Sequence, residues 1–235
     1  MKKLAMVGFA GSYDEAPYGD DTFEIWTMNS MYNFIPRYDV LFDIHDIGEI
    51  QKRVQKPDEP NHYETLKKLT KPIYMQRQFD EIPASVEFPL TELVNKYKIQ
   101  PMGDKFFATC TVSHMLALAY DMGYEEVHLY GIDEAVDGEY VDEMPSVLYW
   151  LGMLAGKGVK LFISPHSPLM KGYWVYGYED KPKKQHVDFL EHELNRVHEI
   201  EAEALRKQQA YHDEQMKCVG AAAIVEHLLK LETKI

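Results

Sequence analysis

Six short runs of the chain are largely apolar and bounded by turn formers: residues 3–9 (KLAMVGF), 23–28 (FEIWTM), 39–44 (DVLFDI), 72–76 (PIYMQ), 125–131 (EEVHLYG) and 159–164 (VKLFIS). Runs that short, apolar on both faces, predict strands of a sheet covered by helices on both sides. Between them the pattern changes to helical spacing, in HYETLKKL at 62–69, ATCTVSHMLALAYDMG at 108–123 and MPSVLYWLGMLAGKG at 144–158. In the second of these Met115, Leu116, Leu118, Ala119 and Met122 share a helix face, and Gly123 stands where a helix ends. Each of the last two helices runs directly into a strand, which is half of a βαβ crossover. The alternation predicts an α/β fold with a doubly wound, mostly parallel sheet over residues 1–178.

Beyond KPKK the character shifts again, and residues 179–235 form a charged, helix-favouring segment. Val187, Leu190, Leu194 and Val197 recur every three or four residues, and Ile200, Ala204 and Tyr211 roughly continue the stripe. Gly220 is expected to interrupt it, giving a helical hairpin or a kinked helix. Such a segment either packs on its own domain or serves as a dimerisation arm, which would make the protein a homodimer through its C-terminal helices.

Composition narrows the function. The 235 residues are 46% hydrophobic and 27% charged, an ordinary globular mixture. A net charge of -13 argues against extended duplex DNA as a partner, because cations must replace the phosphate counterions. The apolar stretches fall short of a membrane span, and MKKLAMVGFAGS lacks the apolar core and cleavage site of a signal peptide, so a soluble, cytoplasmic protein is expected. Cys110 and Cys218 lie far apart and make no CxxC, and the ten histidines make no HExxH, so no metal site and no cofactor are predicted from motifs. His192 and His198 read as solvated helix residues.

In a doubly wound sheet, ligands bind beyond the carboxyl ends of the strands. Candidates on that edge are Gly8, Ala10, Gly11 and Ser12 after the first strand, Asn29 and Ser30 after the second, His45 and Asp46 after the third, and Asp133 with the acidic stretch EAVDGEYVDE after the fifth predicted strand. GFAGS matches neither GxGxxG nor a GK[ST] phosphate loop, yet its glycines allow close backbone approach to an anion and Ser12 adds a hydroxyl. Asn29 offers donor and acceptor together, as a base edge or a ribose requires, or else caps a turn. Thr109, Thr111 and Ser113 precede or open a helix whose first amides would attract phosphate. The imidazole of His45 is suited to act as a base or a substrate contact.

The segment FFATCTVSHMLALAYDMGYEEVHLYGID resembles the bacterial sialyltransferases of the Campylobacter type and the related archaeal pterin pyrophosphokinase-like family. FEIWTMNSMY resembles their second strand ending in Asn, GFAGS stands in the place of their Gly-Pro-Ser loop, and VKLFISPHSPLM resembles a late strand and its Pro-x-Ser turn. Uncharacterised tailed-phage proteins are also similar, including the stretches PRYD, FDIHD and SPLMKG. The resemblance covers about residues 1–172. It implies a Rossmann-like domain in which Gly8, Gly11, Ser12, Asn29, Thr111 and Asp133 surround a nucleotide, His166 faces it, and Tyr140 contacts the leaving phosphate.

Two departures stand out. The sialyltransferases carry a catalytic histidine between GID and the next helix, whereas residues 133–150 contain none and offer only Asp137, Glu139, Asp142 and Glu143 as further carboxylates. The proline of Gly-Pro-Ser is also missing. The expected function is therefore a nucleotide-sugar-dependent, glycosyltransferase-like enzyme, acting in the host cytoplasm if phage-encoded. In such an enzyme Asp133, Glu143 or His45 would take the acceptor proton, and amides of Gly11 and Ser12, hydroxyls of Thr111 and Tyr140, and Lys171 would neutralise the leaving group. The alternatives are a non-catalytic protein that sequesters or senses a nucleotide, and a pyrophosphokinase-like enzyme with a pterin-like acceptor. Tyr173, Trp174 and Tyr176 could stack on a base or sugar, or pack under the C-terminal helix.

Overall fold

A computed structural model of the protein describes residues 2–52, 61–99, 103, 105–134, 139–165, 167–170, 175–178 and 183–232. Seven strands make one sheet: β1 (Lys3–Val7), β2 (Phe23–Met28), β3 (Val40–Phe42), β4 (Ile73–Met75), β5 (Ser85–Glu87), β6 (Glu126–Tyr130) and β7 (Lys160–Ile163). Their order is β5-β4-β3-β2-β1-β6-β7, with every pair parallel. The chain winds outward from β1 to β5, then returns to the other side of β1 to lay down β6 and β7. The order therefore reverses between β1 and β6, and the crevice beyond their carboxyl ends is where such a sheet receives a ligand.

The helices are α1 (Ile47–Lys52), α2 (His62–Leu66), α3 (Leu90–Tyr97), α4 (Thr111–Met122), α5 (Met144–Gly156) and α6 (Lys183–Glu232). Alternation along the strands sends Leu4 and Met6 to one face, where they join Trp26, Phe42, Leu116, Val147 and Trp150 in a core under α4 and α5. Ala5 and Val7 go to the other, with Ile25, Met31 and Ile35. Beneath α1 and α2, Leu41, Ile73 and Met75 pack against Ile50 and Leu66. The indole of Trp150 is fully buried and donates to the carbonyl of Phe107 at 2.7 Å, so the largest side chain on α5 leaves no polar group unmet.

The predicted strands are present, each starting or ending within two residues of its apolar run. β5, α1 and α3 are additional. β7 is less covered than its apolar sequence predicts: it lies at the sheet edge, and Phe162 is 38% exposed. The chain divides into two compact units, Met1–Gly172 and Tyr173–Ile235. The second unit corrects one expectation. α6 continues through Gly220 as a single helix of 50 residues and does not turn back as a hairpin. One glycine lowers helix stability by only about 1 kcal/mol relative to alanine, which is insufficient to break so long a run of helix formers. Leu194, Val197, Ile200 and Tyr211 of its stripe are exposed. No helix among the described residues is long and apolar enough to cross a membrane, and Cys110 and Cys218 are free thiols.

Candidate functional site

The floor of the crevice is a backbone clasp between the loops that follow β1 and β6. Gly8 N–H donates to Tyr130 O at 2.9 Å, Ala10 N–H to Gly131 O at 2.9 Å, and Gly131 N–H to Ser12 Oγ at 2.9 Å. A β-carbon on Gly8 would overlap the carbonyl oxygen of Gly131, and one on Gly131 would overlap that of Gly8; Gly131 also has φ +62°. Gly8 is thus required by the approach of the two loops, and its amide is already committed. Ser12 is buried and accepts from Gly131, while its own hydroxyl proton remains a donor. Gly11 is exposed and opens the 3-10 turn Gly11–Glu15, where leading amides have no intrahelical acceptor. Ser164 Oγ donates to Glu15 at 3.0 Å, tying the end of β7 to this turn. His166 and Lys171 lie outside the described residues, as do Asp137, Tyr173 and Trp174, whereas Tyr176 is exposed.

One strand over, Asn29 leaves β2 in the left-handed region at φ +51°, with its amide donating to Phe42 O at 2.8 Å. Its side-chain Oδ1 is buried and has no hydrogen-bond partner among the described residues. A buried carbonyl oxygen without a donor is destabilising by about 1–3 kcal/mol, and the conformation adds strain, so the free protein holds this group at a loss. Phe9 and Phe34 follow the same strand ends; they are 49% and 58% exposed and pack edge to face at 6.3 Å.

At the end of β3 the structure assembles a chain of polar groups that motif reading does not anticipate. Asp43 is completely buried, with Oδ1 2.8 Å from His45 Nδ1 and Oδ2 2.6 Å from His62 Nε2. His62 Nδ1 is in turn 2.8 Å from the hydroxyl of Tyr32, whose ring stacks on the imidazole at 5.7 Å. Burial alone would push the Asp43 carboxyl up, but hydrogen bonds and charge from the two histidines outweigh it and hold it below the usual carboxylate range. His45 itself is half-buried. Asp43, His62 and Tyr32 are absent from the candidates that motifs suggest; the available signal is a carboxylate terminating an otherwise apolar strand, which has to find partners when buried.

On the other side of the clasp, α4 begins at Thr111. Thr109 Oγ1 donates to Asp142 O at 2.7 Å and meets Ser146 Oγ at 2.8 Å, joining the α4 entry to the α5 entry. Asp133 is half-buried, and Glu134 beside it is buried and left-handed at φ +47°. Glu143 closes the single π-helical turn Glu139–Glu143 before α5; the side chains of Glu139 and Tyr140 in that turn lie outside the described residues. Ligand atoms of Cys110, Glu134 and Glu143 fall within 4.8 Å of one another, close enough for one cation to touch all three. Burial, together with the two carboxylates, pushes the Cys110 thiol up to about 11, so it is protonated at neutral pH.

The fold thus gathers Gly8, Gly11, Ser12, Thr111, Asp133 and Glu143 around the β1–β6 crevice, with Asn29 one strand away. His45 is two strands from β1, a lateral distance of about 10 Å at the usual strand spacing. A cleft of about 380 Å³ opens at the opposite edge near Lys3, Phe23 and Tyr124. There Arg37 is paired with Asp39 at 3.2 Å, and Tyr124 donates to Glu24. These polar groups satisfy one another.

No family model matches the chain, and no curated protein is similar to it. Among solved structures it is similar to the sialyltransferase CstII from Campylobacter jejuni in complex with the substrate analogue CMP-3FNeuAc, at 20% identity over 73% of this chain and 84% of that one, with a TM-score of 0.50. It is also similar to the monofunctional alpha-2,3-sialyltransferase Cst-I from Campylobacter jejuni, at 14% identity over 85% of this chain and 96% of that one, with a TM-score of 0.46. At such identities the likeness to CstII establishes a shared fold.

Proposed function

We propose that the protein binds a nucleotide at the β1–β6 crevice and acts as a nucleotide-sugar-dependent glycosyltransferase. The observation that carries this reading is Asn29: a buried amide oxygen with no hydrogen-bond partner among the described residues, held in a left-handed turn at a ligand-facing strand end. Such an arrangement is unfavourable in the free protein and becomes favourable when a ligand N–H or O–H donates to it, as an exocyclic amine or a ribose hydroxyl does. The similar fold in CstII is seen with a CMP-linked substrate analogue, which supports the same ligand class here.

In this reading the amides of Gly11 and Ser12 and the amino end of α4 at Thr111 receive the phosphate; Tyr140 and His166 are carried over as contacts on the resemblance alone. Phe9 and Phe34 offer aromatic faces to the base or sugar. Asp133 and Glu143 supply carboxylates toward the acceptor. The lack of a histidine in residues 133–150 favours, as a second reading, a protein that retains a nucleotide without turning it over.

Thermal-shift titration with CMP, UDP, GDP, ADP and their sugar conjugates tests both, since a ligand bound to the folded state raises Tm by mass action. One nucleotide family should raise Tm in the wild-type protein and not in Asn29→Ala. Release of free nucleotide from the bound conjugate then identifies an enzyme. A folded protein indifferent to every nucleotide would defeat both readings.

A further inference from the structure

Along the 50 residues of α6, Leu194, Val197, Ile200, Leu205, Val225 and Leu229 each expose more than half of their surface. A helix in water draws most of its stability from packing an apolar face, and a row of such residues exposed together marks an association surface. Here the row has the spacing of a coiled coil. Alternating steps of three and four residues from Leu194 to Leu229 read L-V-E-A-Q-Y-Q-C-A-V-L, a seam that stays on one side of a supercoiled helix. Ile200, Leu205, Val219 and Leu228 flank the seam, whereas Gly220 falls on the opposite side of the helix and leaves it intact.

The seam is apolar at both ends and polar between them, so it reads nearly the same backwards, as L-V-A-C-Q-Y-Q-A-E-V-L. A second copy running in the opposite direction therefore lays apolar ends on apolar ends, with Leu194 against the partner's Val225 and Val197 against the partner's Ala222. In that register Lys207, beside the seam, meets the partner's Glu214, and symmetry repeats the pair. Lys207 also pairs with Glu203 on its own helix at 2.8 Å; the attraction across the seam is between charges and requires no free donor. A like-charge contact, Glu191 with the partner's Glu226, falls at the outer ends of the seam. A parallel copy would instead set each position on itself, bringing Glu201 against the partner's Glu201 inside the seam and Lys207 beside the partner's His212.

We propose that α6 joins two copies of this chain as an antiparallel coiled coil along Leu194–Leu229. The pairing is two-fold symmetric and uses the seam of both copies, so it closes at a dimer. It does not depend on the glycosyltransferase reading.

Oxidation of the full chain distinguishes the two directions. In the antiparallel register Cys218 faces the partner's Glu201, and the two Cys218 thiols are separated by about 17 residues of helix rise, about 25 Å, beyond the reach of a disulfide. Copper phenanthroline should leave the wild type unlinked, should give a covalent dimer of Glu201→Cys, and should lose that dimer when Cys218→Ser is added. Sedimentation equilibrium should find the unoxidised wild type at twice the 27.3 kDa chain mass. Leu194→Glu, which sets a charge against an apolar position in two places, should raise the dimer Kd about 10-fold or more. A wild type that stays monomeric across the concentration series, or that sediments as three or four chains, overturns the proposal. So does an oxidised wild type linked through Cys218, which requires the parallel arrangement; both of these outcomes are read on the unmodified chain.

Discussion

Replacing Asn29 by glycine should stabilise the free protein and abolish its response to nucleotide. The buried Oδ1 without a donor is destabilising by about 1–3 kcal/mol, a loss that disappears with the side chain. The backbone at φ +51° adds about 1 kcal/mol for a residue bearing a β-carbon, and glycine adopts it freely. Against these stands the larger backbone entropy of glycine in the unfolded chain, about 0.5–1 kcal/mol. The net expectation for Asn29→Gly is a gain of about 1–3 kcal/mol, with Asn29→Ala within about 0.5 kcal/mol of it, because its β-carbon keeps the strained conformation but spares the entropy that glycine loses. Urea unfolding followed by intrinsic fluorescence, to which the fully buried Trp26 and Trp150 contribute, measures the difference. The same two variants, heated with a saturating nucleotide, should show no ligand-dependent rise in Tm. If Asn29→Gly loses about 1 kcal/mol or more, the amide is making a stabilising bond in the free protein and no contact is waiting for a ligand.

Gly8→Ala should lose about 1–3 kcal/mol or more, because the atom its β-carbon meets is the Gly131 backbone carbonyl and cannot rotate away, whereas Gly152→Ala, in open space on α5, should gain about 0.5–1 kcal/mol; equal urea midpoints for the two would disprove the clasp. His114 is held neutral by burial, against a weaker opposing pull from its bond to the Cys110 carbonyl. The unfolded chain therefore takes up this proton first, and the contribution of His114 is fully present above about pH 6.5 and is lost as pH falls through its depressed folded value. Stability measured between about pH 7 and 5 should decline less steeply in His114→Gln, by at most about 1.4 kcal/mol per pH unit, and parallel curves would count against this assignment.

The strands at the centre of the sheet were legible because burial on both faces leaves a plain mark: Leu4, Ala5, Met6 and Val7 are all without exposure. β5 was not legible, since only Ser85 of its three residues is buried and Val86 is 40% exposed. Asn29 was found from its place after a buried run, but the strain and the missing partner that distinguish it from a turn cap are properties of φ and of neighbours. The polar chain around Asp43 is illegible for a related reason. Its bonds join residues 19 and 30 positions apart, and no spacing rule connects them before the sheet brings their elements together. Gly220 is the opposite case: a local preference of about 1 kcal/mol is outweighed by the many helix formers around it.

The reciprocal fit of Gly8 and Gly131 bears on how a ligand would associate. Two loops that interlock through backbone atoms cannot drift apart without breaking hydrogen bonds at both ends, so the floor of the crevice is preorganised before any ligand arrives. Association there requires little ordering of the chain, which leaves the entropic penalty to fall on the ligand and on the side chains above the floor. Differences in affinity between related nucleotides should then appear chiefly in how long each one stays, with similar rates of arrival.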